Sequence, residues 1–103
     1  MKEIQEFVVR VSKIHMSTED KKAVAKTLSL LFTKNDLEWG LAWCYGEFEN
    51  ELLESNNDDN YHPSQSNFYD IANILLCLLN MKTFKQVYDW EEVYRAIVVR
   101  LFY

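Results

Sequence analysis

The chain reads as all-α: a single domain, a bundle of about five helices. Three observations predict this. Only two Gly and one Pro occur in 103 residues, too few turn formers for a sheet-rich fold with its frequent reversals. Hydrophobic residues make up 49% of the chain and aromatics 15%, enough for one core at a length that suits one domain. The apolar residues recur at steps of three and four rather than in alternation.

The elements follow in order. Ile4, Phe7, Val8, Val11 and Ile14 share a face at helical spacing, which predicts a first helix over about 2–15. Its β-branched content leaves a strand reading open, but Phe7, Val8 and Val9 are consecutive and fit alternation poorly. Ser17 is a good N-cap for a second helix, with Glu19 and Asp20 in the first turn, where the helix dipole favours acids. Val24, Leu28, Leu31 and Phe32 form its stripe up to about Thr33, with Lys21, Lys22 and Lys26 placed away from it.

Asn35 is expected to cap the third helix, with Glu38 three residues on at capping-box spacing. Leu37, Leu41, Cys44, Tyr45, Phe48 and Leu52 make one apolar stripe, and Trp39, Trp43, Gly46 and Leu53 make a second beside it. The helix is thus expected to bury most of its circumference over its first half. Gly40 and Gly46 each cost about 1 kcal/mol relative to Ala inside a helix. They are expected to admit a close neighbour, with a kink or break near Gly46 as the alternative. Ser55–Ser66, SNNDDNYHPSQS, is the one clear loop. A fourth helix follows over about Asn67–Met81, with Ile71, Ile74, Leu75, Leu78 and Leu79 inward. A short turn over Phe84–Tyr88 then leads into a last helix, Trp90–Phe102.

The net charge of −5 conceals an asymmetry. From Asn35 to Met81 there are nine acids and no Lys or Arg, a net of −9; the rest of the chain carries +4. Glu47, Glu51 and Glu54 stand at i, i+4 and i+7, one helix face where like charges repel. They also lie toward the helix C-terminus, where the dipole disfavours anions. Asp58 and Asp59 carry the field into the loop, and Tyr61 and His62 follow them there. A solvated face, or pairing with Lys21, Lys22 and Lys26, would account for some of this charge. An electrostatic docking surface would account for its placement.

Chemistry is excluded more readily than it is found. Asn56, Asp58 and Asn60 imitate the start of a calcium loop, but Tyr61 and Asn67 occupy the positions that need Gly and Glu. Glu51 and Glu54 lack the further ligands of a di-metal site. Neither a metal nor a cofactor is expected. Cys44 and Cys77 sit among large apolar residues and read as buried, reduced thiols. His15 reads as a cation at the first helix's C-terminus, and no nucleophile–base arrangement is legible, so no enzyme is expected. Two glycines cannot build a phosphate loop, and a pI near 4.9 argues against direct nucleic-acid binding. The longest apolar run, Ile74–Leu79, is too short to span a bilayer. The N-terminal residues lack the features of a signal peptide, so a cytoplasmic location is expected.

The expectation that results is a small acidic binding protein that neutralises a basic protein partner. In size, charge and helix content it resembles the immunity proteins of nuclease toxins, which implies a nuclease-type toxin as partner; an inhibitor of a nucleic-acid enzyme has the same look. The partner-binding residues would be Glu47, Glu51, Glu54, Asp58, Asp59, Tyr61 and His62. The alternative is a structural or adaptor subunit that self-associates, as a homodimer for example, through apolar surface on the third helix and on IVVRLFY at the end of the last.

Overall fold

The computed structural model describes residues 2–55, 66–79 and 90–103. Within them the chain forms α1 (Lys2–Ser12), α2 (Thr18–Leu31), α3 (Lys34–Ser55), α4 (Tyr69–Leu79) and α5 (Trp90–Phe102), with no strand among the described residues. The all-α bundle predicted from composition and periodicity is the fold. The expected turn over Phe84–Tyr88 lies outside the described residues.

α4 organises the core. Every residue from Ile71 to Cys77 is buried, as is Leu79. A helix apolar around its whole circumference has to be surrounded, and α4 packs against α1, α2, α3 and α5. α1 contributes Ile4, Val8 and Val11, and α3 contributes Leu37, Leu41, Cys44 and Phe48 at helical spacing. Leu28 of α2 and Ile97 of α5 are fully buried. Edge-to-face rings tie the periphery together: Phe7 to Phe32 at 5.9 Å, Trp43 to Phe68 at 5.2 Å and Tyr45 to Phe102 at 5.2 Å between centroids.

Several boundaries differ from the sequence reading for local reasons. α1 stops at Ser12 rather than near 15. The Ser12 hydroxyl donates to the Val9 carbonyl at 2.6 Å, and the Lys13 and Ile14 amides bond three residues back, which tightens and ends the helix. Ile14 therefore leaves the apolar face and is exposed, while Met16 in the connection is buried instead. His15 lies in this connection, exposed and beyond the helix end. Ser17 caps α2 as expected, in a full capping box with Asp20. α2 ends at Leu31, and Leu31 itself points to solvent.

α3 is capped by Thr33, not Asn35. The Asp36 amide donates to Thr33 Oγ1 at 3.2 Å and the Thr33 amide donates to Asp36 Oδ2 at 3.0 Å. That reciprocal pair is a capping box one turn-fraction earlier than the Asn35–Glu38 spacing suggested, and it leaves Glu38 free to pair elsewhere. α3 then runs to Ser55 without a break at Gly46.

Candidate docking surface on α3

The two glycines of α3 do different things. A Cβ on Gly40 would stand 3.0 Å from Ile4 Cγ1 and 3.5 Å from Leu75 Cδ1, so its absence lets α1 and α4 close on α3. A Cβ on Gly46 would meet nothing within 4 Å. The neighbour expected at Gly46 is not supplied by the chain itself among its described residues.

Gly46 belongs to a longer pattern. Between Asn35 and Glu54, the exposed positions of α3 are Asn35, Trp39, Ala42, Gly46, Asn50, Leu53 and Glu54. The first six step by three and four along one line of the helix. None of the six is charged. Trp39 is 38% exposed and Leu53 is 76% exposed. The acids lie beside this line: Asp36, Glu38, Glu47, Glu49 and Glu51 are all half-buried. A solvated helix puts its charges outermost; of the charged residues of α3 only Lys34 and Glu54, at its two ends, are exposed. The second apolar stripe seen in the sequence is real, but Trp39, Gly46 and Leu53 face out rather than into the core.

The acidic segment is partly neutralised by the fold. Arg100 Nη2 of α5 donates to Glu38 Oε1 at 2.8 Å. Lys21 Nζ of α2 pairs with Asp70 Oδ1 of α4 at 3.5 Å. Lys21 was expected away from the core; its stem is buried and its ammonium reaches Asp70. Lys22 pairs within its own helix with Glu19, at 3.6 Å.

Of the predicted partner-binding residues, Glu47, Glu51 and Glu54 lie in the second half of α3. Glu51 accepts a hydrogen bond from the Ser66 hydroxyl at 3.1 Å, and Ser66 Oγ accepts from the Phe68 amide at 3.1 Å. Glu51 thus helps hold the entry to α4, a structural role the sequence did not reveal. Glu47 and Glu54 make no ion pair among the described residues. Asp58, Asp59, Tyr61 and His62 lie outside the described residues.

Compared with models of protein families, with curated proteins and with solved structures, the chain matches none.

Cys44 and Cys77 are free and buried. Burial pushes the Cys44 thiol far above its ordinary value, and the Glu47 carboxylate adds to the shift, so the nucleophilic thiolate is suppressed. Among the described residues no group of three His, Cys, Asp or Glu stands close enough to hold a metal ion. No described helix is long and apolar enough to cross a membrane. Among the described residues, the hollow between Glu3, Ile4, Leu31, Phe32 and Asp36 is open to solvent.

Proposed function

We propose that this protein is a small acidic binding protein that masks a basic surface on a protein partner, without catalysis of its own. The observation that carries the reading is the base-free stretch from Asn35 to Met81, with its net charge of −9. Glu38 and Asp70 of its nine acids pair with a base, whereas Glu47 and Glu54 make no ion pair among the described residues. A field of one sign speeds encounter with the opposite sign and orients it. Proteins that bind nucleic acid carry such basic surfaces. We therefore take the partner to be a nuclease-type toxin, with this chain as its immunity protein or inhibitor, acting in the cytoplasm.

The test is capture of partners from the source cells at low and high salt, followed by rate measurements. A basic protein should be recovered, its nuclease activity should stop on addition of this chain, and association should slow as salt rises. The double variant Glu47→Lys, Glu54→Lys should cut the association rate by about tenfold or more with little change in melting temperature. Recovery of no basic partner, or an unchanged rate in the double variant, would sink the reading. These two positions suit the test better than Glu51, whose reversal would also disturb Ser66.

A second reading is self-association through α5, where Val99 is 53% exposed, Phe102 60% and Tyr103 96%. Sedimentation over a wide concentration range separates the two: a strict monomer excludes this one.

A further inference from the structure

We propose that the uncharged outer line of α3, from Trp39 through Gly46 to Leu53, seats an amphipathic helix with basic flanks contributed by the partner; this rests on the acidic-binder reading and specifies how that binding is made. Gly46 is the first reason. A glycine inside a helix costs about 1 kcal/mol relative to Ala, and among the described residues nothing within 4 Å of a Cβ there requires it. What the missing side chain leaves is a shallow gap on the outer surface. Ala42 lies one turn before it and is exposed. Trp39 and Leu53 bound the gap at its two ends, with apolar area open to solvent. From Trp39 to Leu53 the line spans about 21 Å at 1.5 Å per residue, some four turns. That suits a partner helix laid along α3 with its backbone close, as small residues permit.

Charge says which partner. Glu47 and Glu54 border the line on one side and Glu49 borders it on the other, and α3 has no base after Lys34. The occupant that complements an apolar line with acidic borders has an apolar stripe with Lys or Arg on both sides. A second copy of this chain would set Glu47, Glu49 and Glu54 against like charges. An anionic membrane surface would meet the same repulsion.

The line differs from the purely electrostatic face in what it demands of a ligand. Charge alone accepts any cationic peptide. An apolar line between acids asks for a cationic peptide that forms a helix with one apolar face. The probe is therefore a synthetic leucine–lysine peptide patterned as an amphipathic helix, compared with a scramble of the same composition that has no apolar face. Titration calorimetry gives the affinities and amide chemical shifts give the site. The patterned peptide should bind about tenfold or more tighter than the scramble, with shifts centred on Trp39, Ala42, Gly46 and Leu53. Gly46→Gln and Leu53→Ser should each weaken the patterned peptide by about tenfold, with Gly46→Gln melting no lower than the parent.

Equal binding of both peptides, unchanged in Gly46→Gln and weakened in Glu47→Lys, would overturn the helix seat while leaving the acidic reading standing. Binding of neither peptide, together with an unchanged partner rate in the Glu47→Lys, Glu54→Lys variant, would remove both. A dimer of the free protein that Leu53→Lys dissolves would assign the line to a second copy and overturn the proposal.

Discussion

Single residues decide more here than their chemistry suggests. Gly40 and Gly46 sit six apart on one helix, yet substitution should move them in opposite directions. Gly46→Ala adds a methyl in open space and relieves the glycine penalty, so it should raise stability by about 0.5–1 kcal/mol. A melting temperature several degrees higher would show it. Gly40→Ala gains the same propensity but drives its Cβ to within 3.0 Å of Ile4 Cγ1 in a closed core. Overpacking costs about 1–3 kcal/mol, so a net loss near 1 kcal/mol is expected in the same melts. Composition showed both glycines and their cost. It could not show which one faces α1 and α4, because that depends on contacts with Ile4 and Leu75, distant in sequence. Lys21 was misread for the same reason: its partner Asp70 lies 49 positions away, across α2 and α4. The cysteines give a further residue-scale expectation. With Cys44 and Cys77 buried, a thiol reagent at neutral pH should label them no faster than the protein opens, and labelling of the fresh native protein within seconds would contradict the packing.

At the scale of elements, the ends are where sequence and structure agree or part. α5 runs from Trp90 to Phe102 as its periodicity predicts, and Ser17 caps α2. α3 offered two overlapping signatures, Thr33 with Asp36 and Asn35 with Glu38. Either satisfies a capping box. The fold takes the first, and Glu38 is then available to Arg100 of α5, a long-range consideration invisible in a local pattern. Ser17→Ala and Thr33→Ala should each lower stability by about 1 kcal/mol, measured by urea unfolding. The cap of α2 also carries a pH signature. The Ser17 amide and hydroxyl, in that order, hold the Asp20 carboxyl below its ordinary value. A group whose pKa falls on folding stabilises the fold above its unfolded pKa, and that contribution is lost as acid protonates it in the native state. α2 should therefore fray at its start on acidification through the low carboxylate range, and Asp20→Asn should remove the part of the acid dependence that arises there, followed by amide exchange at Asp20 and Lys21.

For the whole molecule, the core and the surface obey different rules, which is why one was legible and the other was not. The core residues follow from period: Ile4, Val8, Val11, Leu41, Phe48, Ile74 and Ile97 all fall where spacing puts them, and all are buried. Phe48→Ala should cost about 3–5 kcal/mol, a large share of the roughly 5–15 kcal/mol that holds a domain together, and should leave the chain largely unfolded on warming. The surface is not periodic in any code that sequence displays. The acids of α3 looked like its solvent face, since charged residues normally are. The structure puts a line of neutral residues outermost and every acid of α3 but Glu54 half-buried beside it, an order set by which side of α3 the other helices leave bare.

The burial of α4 on all sides bears on how the chain is made. Synthesis proceeds from the N-terminus, so α1, α2 and α3 emerge before Tyr69–Leu79, the helix around which they pack. Until α4 has cleared the ribosome, α1 and α3 can meet each other, but Leu28 of α2 and Phe48 of α3 lack the helix at the centre of the core. Their apolar faces stay open to water or to a chaperone during that interval. A nascent chain halted at residue 66 should thus be protease-sensitive, and closure should come abruptly once the last third of the sequence is out.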